Sequence, residues 1–523
     1  EWNVSKKDFA SSDIKFALCF PDLYEVGMSN LGLRILYGIL NSLEDVCCER
    51  FFSCDTDMEE ILRRRRRSIF SQESKKGLGE FDIIGFSLGY ELGYTNVLNM
   101  LELGGIPLRS DARSNTDPLV IAGGPTTLNP EPMHEFFDLF VIGEAEEAIL
   151  EIIGLYREHK TKYKSSKISK QEMLFLFSKI PGVYVPSLYK VTYNPSGGIE
   201  EFKPLMQGGS LKIQKRIVKD LDASFFPLEW LVPYIQIIHD RITLEIMRGC
   251  PNRCRFCQAR SQYFPLRLRG VENILNLAEA AYKRTGYEEV SLGGLSVSDY
   301  TGIEELLQKL SGLFTPAAVS VSLPSLKARA NIGTISGLVA KIKKTGLTFA
   351  PESGSVRLRR IIGKDFDEDN FFKTIQEAYA IGYQHLKLYF MIGLPFEEEK
   401  DLDAIIDFAN RTSELKKKIK GPGAQVNMSI NTLIPKPHTP LQWLRMDGVE
   451  SIKYKQGYLR SRVKNKRLNL NFHNPYMSFV EGILSRGDRR LSEVIFYAFK
   501  NQARFDAWGN YFAFEKWQEA FLK

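Results

Sequence analysis

A chain of 523 residues with 44% hydrophobic composition is too long for one ordinary domain and apolar enough for two or three cores. Lysine and arginine exceed aspartate and glutamate by 70 to 63, and the resulting charge of +7 permits an anionic partner without requiring one. Seven unevenly placed cysteines make no disulfide framework, no apolar run reaches the roughly 18 to 20 residues that span a bilayer, and "EWNVSKKDFASSD" lacks the regions of a signal peptide, so a cytoplasmic, thiol-reducing protein with no membrane partner is expected.

The start at Glu1 rather than methionine leaves room for residues upstream. From about Lys15 to Leu155, short apolar runs alternate with helical patterns: "KFALCF" (15–20), a helix across 28–42, "FDIIGFSL" (81–88), a helix across 91–103, "PLVIAGG" (118–124), "LFVIG" (139–143) and "EAEEAILEIIGLY". Strand and helix in alternation predict a parallel sheet covered on both faces. Ligands of such sheets sit beyond the carboxyl ends of the strands, so loops 22–27, 87–93 and 123–130 are expected to converge on one crevice. The lysine-rich "YREHKTKYKSSKISK" (156–170) reads as a boundary, and 183–235 as short irregular strands and turns.

A second βα series starts at "ITLEIM" (242–247) and continues through "EEVSLGG" (288–294), "AVSVSLP" (318–324), "GLTFAP" (346–351), "HLKLYFMIG" (385–393) and "QVNMSINTLIP" (425–435). Six such repeats predict a partial (β/α)6 barrel, whose chemistry is built on loops at the carboxyl ends of its strands. The remaining 440–523 mix a basic stretch, "KYKQGYLRSRVKNKR" (453–467), with an aromatic-rich end, "FDAWGNYFAFEKWQEAF".

Just after the first strand of that series stands "RGCPNRCRFCQAR" (248–260), with Cys250, Cys254 and Cys257 spaced by four and then three residues. Clustered thiolates bind soft metals, and three cysteines on a four-iron cluster leave one iron open. A structural zinc site normally supplies four ligands, yet no histidine or fourth cysteine is near. A redox pair needs only Cys-x-x-Cys and leaves Cys250 unexplained.

The Cx3CxΦC pattern, with Phe256 at its aromatic position, resembles the signature of the radical S-adenosylmethionine enzymes. The resemblance implies a [4Fe-4S] cluster whose open iron is chelated by S-adenosylmethionine, which is cleaved reductively to a 5′-deoxyadenosyl radical, and a reducing partner such as flavodoxin or ferredoxin. "LGGLS" (292–296) resembles the motif that approaches the methionine amino group; Leu295 stands in place of its acid, leaving the contact to the Gly293 and Gly294 backbone. "APESGS" (350–355) resembles the segment that meets the ribose and carboxylate, which makes Glu352 and Ser353 candidates, and "FMIGLP" (390–395) resembles the strand end beside adenine.

"DLYEVGMSNLG" (22–32), "GFSLGY" (85–90) and "IAGGP" (121–125) followed by "DLFVIGEAEE" (138–147) are similar, in order and spacing, to cobalamin-binding domains fused to such barrels. The family frame D-x-H-x-x-G survives as Asp22, Tyr24 and Gly27 with a tyrosine where the cobalt-binding histidine would stand. Two readings stay open: a cobalamin site, with Ser87, Gly123 and Gly124 on the neighbouring loops, or a domain that keeps the fold without the cofactor. The chain as a whole resembles a bacterial group of fused proteins of this kind. The expected fold class is therefore α/β: an N-terminal doubly wound, flavodoxin-like domain (1–158), a connecting subdomain (159–235), the barrel (236–438) and an α+β C-terminal extension (439–523) facing substrate.

Three functions are compatible with these residues. The first is cobalamin-dependent methyl transfer to an unidentified substrate, a small molecule or RNA. The second is a methylthiotransferase-like or other radical modification of RNA without cobalamin; Cys19, Cys47, Cys48 and Cys54 are its candidate second set of ligands, though they read more simply as buried, inert thiols. The third is a non-enzymatic iron–sulfur sensor or scaffold, which has no use for the S-adenosylmethionine loops. The basic runs "LRRRRRS" (62–68), "KKKIK" (416–420) and 453–467 suit phosphates, although the acids of "DMEEILRRRRRS" suit i,i+4 pairs on a solvated helix equally. His438 in "KPHTPLQW" is a candidate substrate contact or a turn histidine satisfied by backbone, and His473 in "NFHNPYMS" a candidate general acid or second metal ligand, or a structural histidine. "SRGDRR" (485–490) fits an anion clamp or a helix start capped by Asp488.

Overall fold

The computed structural model describes residues 1–206, 209–322, 347–380, 382–419 and 421–523. The chain divides into two compact units, Glu1–Asp240 with Ile483–Lys523, and Arg241–Gly482.

The first unit is built on a six-stranded sheet in the order β2-β1-β3-β4-β5-β6. Its strands are β1 (Ile14–Phe20), β2 (Val46–Phe52), β3 (Ile83–Ser87), β4 (Leu119–Gly123), β5 (Leu139–Val141) and β6 (Val183–Tyr184), all parallel except β6. The order 2-1-3-4-5 is that of flavodoxin-like sheets and reverses between β1 and β3. β1 is buried along almost its whole length, as a strand covered on both faces must be. The helix Leu31–Ser42 starts where Asn30 accepts a bond from the Leu33 N–H at 3.0 Å. The loop expected at 22–27 contains one helical turn, Tyr24–Gly27.

Two features of this unit differ from the sequence expectation. The lysine-rich stretch is no boundary: the helix Ala148–Lys164 runs through it, burying Tyr156 and Tyr163 while its lysines stay at the surface, so the expected border at 158–159 lies inside a helix. A strand absent from the expected series, β2, contains Cys47 and Cys48, paired with Lys15 and Phe16 of β1. A hairpin, β7 (Tyr189–Tyr193) with β8 (Ile199–Pro204), follows the sheet.

In the second unit β9 (Ile242–Glu245) leads into β10 (Met247–Arg248), which pairs antiparallel with β11 (Arg267–Leu268). β12 (Glu289–Gly293) lies between β9 and β13 (Ser320–Ser322), all parallel. The end of the strand expected at 318–324 lies outside the described residues. A second parallel sheet orders β14 (Leu347–Glu352), β15 (His385–Ile392), β16 (Gln425–Thr432) and β17 (Leu468–Phe472). All six expected barrel strands are present, and β17 adds a seventh beyond the expected border at 438. Phe349, Phe371, Phe390 and Phe408 anchor the core between the second sheet and its helices. The expected extension 439–523 is divided: its first part completes this sheet, and residues 483–523 belong to the first unit.

Candidate active site

The hairpin closed by β10 and β11 carries all three cysteines, each half-buried. Asn252 holds the loop to the next strand end. Its amide donates to Cys250 Sγ at 3.2 Å, to Ser296 Oγ at 3.3 Å and to Asp299 Oδ2 at 2.9 Å, the last two following β12. Gly293 and Gly294 stand at that same strand end, where a Cβ on Gly294 would meet Met247 Cγ at 2.5 Å.

Phe256 packs in a cluster with Leu358, Ile362, Met391, Leu394 and Leu433, which brings the ends of β15 and β16 beneath the loop. Gln258 Nε2 and Ser261 Oγ donate to the Pro437 and His438 carbonyls at 3.3 and 2.6 Å. Burial pushes the Cys254 and Cys257 thiols up, while the Lys364 ammonium pulls them down and the neighbouring thiolates repel. The Cys257 sulfur also accepts backbone N–H groups of Ala259 and Arg260.

Glu352 ends β14 with φ +68, at the point where its register with β15 shifts. Burial raises its carboxyl above the usual range, offset by Lys364, whose Nζ lies 3.1 Å from Glu352 Oε1. Ser353 is buried, and Arg359 Nη1 donates to the Ser353 and Gly354 carbonyls at 3.0 Å each. The structure thus gathers Cys250, Cys254, Cys257, Phe256, Gly293, Gly294, Glu352 and Ser353 at adjoining strand ends. Among the described residues no three His, Cys, Asp or Glu side chains are already closed into a metal-binding set, these cysteines included. Three thiols on one loop nevertheless make the donor set of a four-iron cluster with one iron open.

The edge of the first sheet forms a separate candidate site. Ser87 pairs with Gly123, the Leu88 N–H donates to the Gly123 carbonyl at 2.7 Å, and Thr126 N–H bonds Leu88 O at 3.3 Å. Gly124 has φ +111, and a Cβ there would sit 2.6 Å from Leu88 O, so only glycine fits. Asp22 lies past the end of β1, its carboxyl raised by burial and accepting from Leu23 N at 2.8 Å and Trp508 Nε1 at 2.9 Å. Tyr24 and Gly27 turn towards β2: the Tyr24 hydroxyl donates to Glu1 Oε1 at 2.5 Å, its ring meets Phe52, and Phe52 covers Gly27. The structure therefore joins the Ser87 and Gly123–Gly124 loops, while the Tyr24 phenol is engaged elsewhere.

Sequence reasoning missed that residues 485–508 touch these same loops. Asn129 Nδ2 donates to the Ser485 and Gly487 carbonyls at 3.1 and 2.9 Å. Asn96 donates to Pro21 O at 2.9 Å and accepts from Phe505 N at 2.8 Å. The aromatic and acidic residues of "FDAW" were the available signal.

Other candidates resolve into structural roles. Arg489 binds Glu131 and the Tyr189 and Pro186 carbonyls, and Arg490 binds Asp488 and Gly197 O, so these two arginines are held by internal partners. His473 Nδ1 meets Ser478 Oγ at 2.8 Å. Arg63 pairs with Glu59 and Glu102 at a partly exposed helix end, whereas Lys455 is held largely buried against Glu397 and Asp447. Lys420 lies outside the described residues. Cys19 and Cys48 are fully buried with thiols raised by burial, burial pushes Cys47 up to about 12, and Cys54 is raised to about 11.

A three-thiol loop after the first strand of a parallel βα series is the donor arrangement of a radical-type iron–sulfur enzyme. Residues 244–409 match the radical SAM superfamily and residues 32–186 the N-terminal region of radical SAM proteins. The chain belongs to the radical SAM superfamily and is an enzyme of it. An uncharacterized protein of Methanocaldococcus jannaschii is 29% identical over 92% of this chain and 90% of its own. Among solved structures, the radical S-adenosylmethionine methyltransferase TsrM from Kitasatospora setae, with cobalamin and a [4Fe-4S] cluster bound, has a TM-score of 0.53 at 12% identity, covering 82% of this chain and 73% of that one. The cobalamin-dependent S-adenosylmethionine radical enzyme OxsB, with aqua-cobalamin and S-adenosylmethionine bound, has a TM-score of 0.50 at 13% identity, covering 93% and 68%. Both likenesses are of fold. Among the described residues no helix is long and apolar enough to cross a membrane.

Proposed function

We propose that the protein is a cobalamin-dependent radical SAM methyltransferase. The observation that carries this reading is the combination, in one chain, of a 2-1-3-4-5 parallel sheet with a glycine-only turn at its carboxyl edge and a three-cysteine barrel loop. The fold shared with TsrM and OxsB supports it.

In this reading Cys250, Cys254 and Cys257 ligate a [4Fe-4S] cluster, Phe256 packs beneath it, and Gly293, Gly294, Glu352 and Ser353 meet S-adenosylmethionine. Bound together, cluster and S-adenosylmethionine supply a strongly oxidising carbon radical; the protein orients them and excludes water. Asp22, Ser87, Gly123 and Gly124 border the cobalamin, with Tyr24 and Gly27 shaping the loop beneath. Tyr24, its hydroxyl committed to Glu1, would offer a cobalamin held there no imidazole. A flavodoxin or ferredoxin supplies the electron, and the region after 438 faces a small-molecule or RNA substrate.

Anaerobic reconstitution with iron, sulfide and hydroxocobalamin tests the reading. Stoichiometric cobalt and iron on the desalted protein are expected. Iron without cobalt would overturn the cobalamin assignment and turn the search to other radical chemistry.

A further inference from the structure

Lys364 lies on no motif singled out in the sequence, yet it stands where two parts of the active site meet. The segment before it is docked on the cysteine loop: Arg255 N–H donates to Ile362 O at 2.8 Å, and Arg255 Nη1 to Ile361 O at 2.7 Å. Gly363, with φ +68, lets this turn come so close that a Cβ would sit 2.7 Å from the Arg253 carbonyl oxygen. The lysine side chain, 19% exposed, then reaches inward, with Nζ 5.9 Å from the centre of the Phe256 ring and 3.1 Å from Glu352 Oε1.

Glu352 is itself held in an unfavourable backbone conformation for a residue with a side chain. A buried carboxylate in a strained turn persists when a partner fixes it, and Lys364 is that partner. We propose that Lys364 and Glu352 form a charged relay between the cysteine loop and the S-adenosylmethionine segment, in which Lys364 is a positioning residue that raises the reduction potential of the cluster and Glu352 moderates it.

The physical reason is one of charge. A cluster gains one negative charge on reduction, so a nearby cation favours the reduced form, and a carboxylate that screens the cation opposes it. The two residues therefore act on the potential with opposite signs. A merely structural pair would not do so, because breaking it from either side would disturb the loop in the same way. The relay also links the two halves of the site: whatever draws Glu352 towards S-adenosylmethionine frees the lysine charge for the cluster, and by reciprocity the cluster state alters ligand affinity.

This inference rests on the cluster assigned above, so the test first establishes that cluster in the wild-type protein by iron content and the low-temperature electron paramagnetic resonance signal of the dithionite-reduced form. Redox titration of that signal then compares wild type with Lys364→Met, Lys364→Arg and Glu352→Gln, each with its iron content and thermal unfolding recorded. The expected result is a midpoint shifted negative in K364M, shifted positive in E352Q and close to wild type in K364R. Midpoints that do not move, or that move in the same direction in K364M and E352Q, would overturn the proposal. Should K364M fail to fold, the positive shift in E352Q and its absence in K364R decide the matter. Failure of the wild type to take up a cluster would instead overturn the underlying assignment.

Discussion

Asp506 is one of the residues that fasten the tail of the chain within the first unit, and replacing it gives a graded test. It is buried, accepting Thr95 Oγ1 at 2.7 Å and Trp517 Nε1 at 3.0 Å. Asp506→Ala leaves two buried donors without that acceptor, at ~1–3 kcal/mol each, so a loss of about 3 kcal/mol is expected. That is a large part of the 5–15 kcal/mol typical of a folded domain. Asp506→Asn keeps the shape: its oxygen accepts from Trp517 while its amide donates to Thr95, which has a lone pair to spare, so the cost is expected within about 1 kcal/mol. The pH dependence separates the variants further. Burial raises the Asp506 carboxyl above the ordinary aspartate range. A raised carboxyl contributes stability that is complete below the unfolded value and lost as pH rises through the folded one. Wild type should therefore lose this component as pH climbs from about 4, and D506N should not. Urea unfolding followed by tryptophan fluorescence, repeated from pH 4 to 8, measures both effects. An alanine variant as stable as wild type, or an asparagine variant as damaged as alanine, would refute the reasoning.

Other outcomes follow from single positions. Gly124→Ala should cost about 3 kcal/mol in chemical denaturation, because its backbone conformation excludes a Cβ and the added carbon would meet Leu88 O; it should also weaken cobalamin retention. In the cluster-free native protein at pH 8, mass spectrometry after iodoacetamide should find Cys250, Cys254 and Cys257 labelled well before Cys19, Cys47 and Cys48, whose burial raises their thiols. Equal labelling of Cys47 or Cys48 would reopen a second cluster site.

Much of this architecture could be read from the residues because its signals are local. The barrel strands end in glycine or proline, and three cysteines at close spacing on one strand-to-helix loop have few other uses. What escaped depends on contacts far apart in sequence. β2 hides as "VCCERFF", where Glu49 and Arg50 break the apolar run; Arg50 is buried because Glu1 and Glu73 neutralise it. The helix through 156–164 looks like a linker because lysines outnumber apolar residues, yet Tyr156 and Tyr163 alone bury its inner face. The return of the tail to the first unit rests on Asp506, Trp508 and Trp517, residues whose partners lie some 400 to 500 positions away or in the next helix. Lys364 was invisible for the same reason, since its meaning comes from Glu352 and the cysteine loop.

The most direct test of the central claim is reductive cleavage of S-adenosylmethionine. Protein reconstituted anaerobically to about four irons per chain and reduced with dithionite should convert S-adenosylmethionine to 5′-deoxyadenosine, read by liquid chromatography, while Cys254→Ala should neither hold the iron nor form the product. Absence of 5′-deoxyadenosine from fully loaded wild type, or its undiminished formation by C254A, would contradict the account.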